Sequence, residues 1–512
     1  MELSFGHLLA LFALLLVIIL IKSKSRRLDV KLRPPGPRAW PIFGNIFDLR
    51  ALPHQTFHKL RSKYGAVIWL RLGFTNTLVI QSAKAAEHLF KNHDVQFSDR
   101  KVSDAFTAHN YNQGSVSMCH YGSNWRILRR LVTLGLMTSK KIIDSVNVRR
   151  NCIDKMIRFI EEDAAVARSR GESGEIVVSR YVFVMTFNLM GNLIFSKDLV
   201  DTHLEEGSEF FGAMDMVMKW GGKPNLVDFF PSLRAFDPQR IRKNMEFDLG
   251  RTLKIVEKFV MERIEDRKSV KERGEGDFLD TILENENGKE GADKISTHNM
   301  IIIILEMFFG GTETTSGTSE WVMVELFRSP ESMRKVKEEL NRVVGTKRKV
   351  EENDLDELPY LQAVIKETMR LHPVLPLLVP RNTLEETKFM GYVIPKGTQV
   401  FVNTWGIGRD PDTWEDPLSF KPERFLSSNI DYRGQNFELL PFGSGRRICV
   451  GYPLAHRILH LTVATLLHCF EWEIDTNSAA EVMDMNEKYG FTVKKLIPFR
   501  AIPKKKTIAE WE

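Results

Sequence analysis

The residues best able to do chemistry lie in one stretch, Phe442-Gly443-Ser444-Gly445-Arg446-Arg447-Ile448-Cys449-Val450-Gly451. It holds one of four cysteines (Cys119, Cys152, Cys449, Cys469), which form no CxxC pair and keep no regular spacing. Such usage suits neither a disulfide scaffold nor a zinc ribbon, and it fits a reducing compartment. Glycines around a cysteine let the backbone approach a flat ligand, and a metal cation can strip the thiol of its proton. Taken singly, a cysteine in a glycine turn is more often a small buried core residue.

A second stretch, Gly310-Gly311-Thr312-Glu313-Thr314-Thr315, sits inside a helical pattern. Thr314 lies four residues after Gly310, so its hydroxyl can bond the Gly310 carbonyl and bend the helix. Glu313 beside it is an acid next to an alcohol, a pair able to pass protons. Each glycine costs a helix about 1 kcal/mol relative to Ala, a cost that close approach of a flat cofactor would offset. A third set, Glu367-x-x-Arg370, places opposite charges on one helical face. Trp125 and Arg129, four apart, also share a face.

These groups need rigid elements. Met300–Phe309 is apolar nearly all round, and with Ser296 or Thr297 as its cap it predicts a buried helix running to Pro330. Glu367 and Arg370 fall in a helix predicted for Pro359–Leu371, opened by proline and closed by His372-Pro373. From about Pro41 the pattern is mainly α, with short β pieces at Val67–Leu72 and Thr77–Ile80. The polar stretch Asp266–Lys294 reads as a solvent-facing linker. There are no internal repeats.

The chain has 512 residues, 43% of them hydrophobic and 27% charged, which is ordinary for a globular protein with a large core. Residues Lys22–Arg38 hold seven basic side chains and one acid, enough to account for the whole net charge of +6. Charge gathered in one strip argues against nucleic-acid binding. The strip follows Leu3–Ile21, apolar apart from Ser4, Gly6 and His7. As a helix this stretch reaches roughly 29 Å, close to a hydrocarbon core of roughly 30 Å. Glu2 leads and bulky basic residues follow, so it reads as an uncleaved anchor with the remainder in the cytosol. Residues 1–21 are thus expected to be a transmembrane helix, 22–40 a basic, proline-rich linker, and 41–512 a catalytic domain.

The cysteine stretch matches F-x-x-G-x-R-x-C-x-G at every fixed position, and in this the chain resembles the cytochrome P-450 superfamily. The resemblance implies that fold, mainly α with small β-sheets in one large domain, and haem b with Cys449 as the axial iron ligand. Thiolate ligation favours O–O cleavage. Arg447, Trp125, Arg129 and Arg381 would meet haem propionates, and Phe442 and Gly443 belong to the cofactor loop. Gly310–Thr315 resembles the family's oxygen-activation motif, which makes Glu313 and Thr314 the catalytic pair. Gly310 and Glu313 stand where the family often has Ala and Asp. Arg424, in Pro422-Glu423-Arg424-Phe425, joins Glu367 and Arg370 in a structural charge cluster.

The anchor, the Pro34-Pro35-Gly36-Pro37 hinge and the segments Lys63–Leu72 and Trp125–Thr138 resemble plant microsomal members that oxidise geraniol-type monoterpenols and iridoids. The implied reaction inserts one oxygen atom of O2 into a C–H bond of a small hydrophobic metabolite at the endoplasmic reticulum. Electrons come from NADPH through a separate reductase, with a cytochrome b-type donor as a second source. Arg126, Arg130 and Arg446 are candidates for the docking surface. Ala105–Asn112, Leu305–Phe309, Leu375–Val379 and Gly490–Val493 would line the pocket; Trp220 and Phe229–Phe230 read equally as a lipid access route or as core. Alternatives are an alkaloid or phenolic oxidase, a haem-thiolate isomerase or dehydratase, and a membrane-tethered haem-binding or scaffold protein.

Overall fold

A computed structural model describes residues 32–200, 209–269, 276–287, 295–476 and 478–506. The expected anchor, residues 1–21, lies outside them. The elements that position the site are, in chain order, α1 (Pro53–Tyr64), β1 (Val67–Leu72), β2 (Thr75–Ile80), β3 (Asp99–Arg100), α2 (Ser123–Leu136), α3 (Val146–Ser169), α4 (Val178–Phe195), α5 (Ile241–Ser269), α6 (Phe278–Asn287), α7 (Thr297–Gly311), α8 (Glu313–Arg328), α9 (Pro359–Leu371), β4 (Arg381–Asn382), β5 (Gln399–Val402), α10 (Tyr452–Cys469), β6 (Glu487–Lys488) and β7 (Lys494–Lys495). The fold is mostly helical with small sheets.

Helices α4, α8 and α10 form the centre, with α3 and α9 packed around them. Met300–Phe309 of α7 and Trp321–Leu326 of α8 are buried on every side. The five-stranded sheet has the order β1-β2-β5-β4-β3. Its β2–β5 pair is parallel, joining Thr77 to Gln399 and Ile80 to Val402, and the other pairs are antiparallel. Strands β6 and β7 form a separate hairpin.

The proline-rich segment is non-helical where it is described and lies against β1: Pro34 is buried, Trp69 donates its N–H to Pro35 O at 2.9 Å, and Arg33 lies over the Trp69 ring. Two local expectations meet a different outcome. The polar stretch after Asp266 contains α6, whose Phe278, Leu279, Ile282 and Leu283 are buried against α2 and α4. The helix predicted to reach Pro330 breaks at Thr312 into α7 and α8. Among the described residues only α4 is long and apolar enough to cross a membrane, and most of it is buried in the core.

Helix α10 carries a pair, half-buried His456 and buried His460, with ring centroids 4.3 Å apart. Burial is the main cause that lowers His456 to about 4 and His460 to about 3. Both are therefore neutral in the fold. Their stabilising effect is complete above an unfolded value near 6.5 and is lost as pH falls from there toward 4, because the unfolded chain takes up the protons. Denaturant unfolding midpoints are expected to fall across that window. In His460→Leu the fall should involve nearly one proton fewer; an unaltered slope would contradict this account.

Candidate active site

The cysteine loop runs from Phe442 to the first turn of α10. Gly443 and Gly445 have φ near +70°, a region that a side chain strains, and a Cβ at Gly445 would lie 2.4 Å from Asp94 Oδ1. Cys449 N–H closes the loop on Phe442 O at 2.9 Å. The sulfur lies at the N-terminus of the 18-residue α10, where the N–H groups of Gly451 and Tyr452 donate to it. Burial pushes the thiol up; those donors and Arg129 oppose it. Yet Cys449 has free surface, unlike Cys119, Cys152 and Cys469. Free surface together with strong desolvation means that the sulfur faces an internal space. The other three thiols are raised by burial, Cys152 and Cys469 to about 12, and are inert.

Beside this loop the structure gathers guanidinium groups. Arg447 donates to the carbonyls of Ser98 (2.8 Å), Val116 (3.2 Å) and Cys119 (2.7 Å), and lies 4.4 Å over the Trp125 ring. Trp125 Nε1 donates to the same Val116 O, at 3.1 Å. Arg129 donates to Ile448 O at 2.6 Å. Arg381 donates to Ser444 O and Phe97 O and pairs with Asp94. Arg100, which no spacing in the sequence flagged, donates to Ser117 O and Val379 O. Burial lowers all four, Arg447 to about 10; Arg447 and Arg381 also depress Arg100, and Arg381 depresses Arg447. Three of these cations are buried and Arg129 is half-buried, and so dense a group calls for an anion of matching charge. The two propionates of a haem fit it, and the sulfur fits the iron.

The α7–α8 junction supplies the second half of the site. Thr314 Oγ1 donates to Gly310 O at 2.8 Å, and Thr312 and Thr315 bond back to Phe308 O and Gly311 O in the same way. Three such bonds in succession accompany the break. The two glycines differ in use. A Cβ at Gly310 would meet nothing within 4 Å, whereas one at Gly311 would lie 3.0 Å from Met190 Sδ. Gly310 is exposed although the ten residues before it, Met300–Phe309, are all buried. Gly311 instead lets α4 approach. Glu313 is buried and pairs with Lys494 Nζ through Oε1.

Between these halves lies an apolar wall. Phe106, Tyr111, Phe309 and Phe491 form a ring chain with centroids 5.6 to 6.3 Å apart. All four lie in segments expected to line the pocket. Val374 and Leu378 join the halves, Val374 approaching Gly317 of α8 and Leu378 approaching Gly443. Glu306 departs from the apolar expectation: its carboxylate accepts from Ser115 Oγ (2.6 Å), Val116 N (2.5 Å), Ser117 N (2.9 Å) and Ser117 Oγ. It therefore pins the turn whose carbonyls hold Arg447 and Trp125. As the one charge in the run Met300–Phe309 it was visible in the sequence, but its partners were not. Trp220 is half-buried and packs against the core, with Nε1 donating to Asp248 at 2.8 Å. Phe230 is half-buried as well, against Phe43 and Phe74.

Glu367 and Arg370 lie behind the loop, both fully buried, in a two-pronged pair at 2.7 Å. Arg424 Nε reaches Glu367 Oε1 at 3.1 Å, and Arg370 also donates to Gly408, Pro417 and Ser419 carbonyls. Arg126, Arg130 and Arg446 are exposed, with the Arg446 backbone N–H on Asp94.

The Cytochrome P450 family profile matches residues 34–497. The chain is 53% identical to the iridoid oxidase of Catharanthus roseus over 494 residues, 96% of each chain. It is 41% identical to the geraniol 8-hydroxylase of that plant over 480 residues, 94% of this chain and 95% of the relative. Among solved structures, a zebra fish cytochrome P450 with abiraterone superposes with a TM-score of 0.75 at 25% identity, over 89% of this chain and 100% of that one.

Proposed function

We propose, from the premise that this chain belongs to the cytochrome P450 family, that it is a membrane-bound monooxygenase of a monoterpenol or iridoid. The observation that carries this reading is the pairing of a desolvated, inward-facing thiol at a helix N-terminus with an open glycine beside an acid and an alcohol. Haem b, when bound, activates O2 with two electrons that pass singly from NADPH through a reductase. Cys449 would hold the iron, its negative charge favoured by the Gly451 and Tyr452 N–H groups. Arg447, Arg129, Arg381 and Arg100, with Trp125, would hold the propionates, while Phe442 and Gly443 shape the loop beneath. The aromatic wall excludes water and favours an apolar substrate. Thr314 holds a hydroxyl at the Gly310 groove, where it can retain a proton that Glu313 brings inward.

In Thr314→Ala, NADPH consumption should continue while product per NADPH falls roughly tenfold or more, a modest share of what positioned proton transfer supplies. Tight coupling in that variant would remove Thr314 from the reaction. The substrate class follows from the iridoid and geraniol relatives, together with the apolar pocket. Co-expression with a plant reductase and a screen of geraniol and nepetalactol-type iridoids tests it. Product from alkaloids or phenols alone would overturn it.

Placement at the endoplasmic reticulum rests on the N-terminal apolar stretch and its basic flank. A patch of exposed aromatic rings around the half-buried Phe230 adds support: Phe43 lies 5.0 Å from Phe47 and 6.1 Å from Phe230, which lies 5.8 Å from Phe74. Exposed Trp40 and Ile42 follow soon after the proposed anchor in sequence. Arg126, Arg130 and Arg446 offer a basic face near Cys449 to an acidic reductase.

A further inference from the structure

We propose that Lys494 is a positioning residue for proton delivery: it holds one carboxylate oxygen of Glu313 so that the other stays turned into the protein, and solvent meets the acid at the lysine. Lys494 Nζ pairs with Glu313 Oε1, and its side chain is 43% exposed against 5% for the glutamate. Glu313 Oε2 is buried and has no hydrogen-bond partner. The two oxygens of one carboxylate therefore face different surroundings, one toward a half-solvated ammonium and one toward the interior.

A buried acceptor without a partner is uncommon and marks a functional point. The neighbouring lysine shows that the arrangement is selective. Lys495 is buried and turns to Ile497 O at 2.9 Å, as the alternation of a strand requires, leaving Lys494 alone to face Glu313. Glu320, two turns further along α8, is occupied by Ser179 Oγ and Phe499 N.

The hairpin also ties Lys494 to the pocket. Three residues before it, Phe491 touches the Phe106 ring, and Val493 N–H donates to Val374 O at 2.8 Å. A substrate that displaces Phe491 thus acts on the same hairpin that holds the acid. Each turnover consumes two protons and two electrons, and one oxygen atom leaves as water. Both protons come from solvent, Glu313 passes them inward, and Lys494 keeps its own proton throughout.

The inference rests on the monooxygenase reading of Glu313 and is tested on the full-length haem protein with its reductase. In a crystal structure of Lys494→Gln the Glu313 carboxylate should leave its present place. The same variant should keep the carbon-monoxide difference band, yield several-fold less product per NADPH with geraniol, and release more peroxide per NADPH when no substrate is added. Lys494→Arg should restore the Glu313 position, the product per NADPH and the peroxide level. An unmoved Glu313, or peroxide release equal to that of the wild type, overturns the proposal. Should Glu313→Gln itself remain fully coupled, the proton-carrying reading of Glu313 fails, while the crystal structure still reports on Lys494.

Discussion

Cys449→Ala is expected to abolish both the red-shifted carbon-monoxide difference band and turnover. No second thiol can take over, since Cys119, Cys152 and Cys469 are buried and raised by desolvation. Nor can any other side chain use the N–H groups of Gly451 and Tyr452, which stabilise negative charge at that point alone. Losing an outer hydrogen-bond partner of a metal ligand costs roughly 10–100-fold. Losing the ligand itself should exceed that and leave activity below detection. Cys152→Ala serves as the control and should keep the band. A band that survives in Cys449→Ala would remove the sulfur from the iron and with it the whole assignment.

The second large effect is on the fold. Glu367→Ala leaves the Arg370 guanidinium with no anion while both positions stay buried. Breaking one side of a buried ion pair costs about 3–5 kcal/mol. That is a large part of the roughly 5–15 kcal/mol that holds a domain together. Arg424 loses its carboxylate at the same stroke, and the Lys421 N–H loses an acceptor at 2.8 Å. Little folded haem protein is expected. The double replacement Glu367→Met with Arg370→Met removes both charges and should unfold at a higher temperature than the single Ala. If Glu367→Ala melts within a degree of the wild type, the cluster has no structural role.

What could be read without coordinates was local. Helix α9 begins at Pro359 and ends at Leu371 because a proline and a His-Pro pair bound it. The Ser296 cap accepts from Asn299 N, and the Thr314 bond spans four residues. Helix α6 was hidden because its short apolar stripe is outnumbered by flanking Glu, Lys and Gly. The sequence also could not separate the two glycines, since only Met190 on another helix distinguishes them. Arg100, Lys494 and the partners of Glu306 depend on contacts between distant parts of the chain; Ser115 and Glu306 are 191 positions apart. Pairings of that kind leave no periodicity to find.

The docking of Pro35 against β1 would limit how far the catalytic body can stand from an N-terminal anchor. With Leu3–Ile21 in the bilayer as proposed, twelve residues, 22–33, separate it from Pro34. Fully stretched, a run of twelve residues spans at most about 40 Å. An anchor there would hold the enzyme in a shallow layer above the lipid. An electron donor bound to the same membrane would then meet it by moving in that plane, a two-dimensional search.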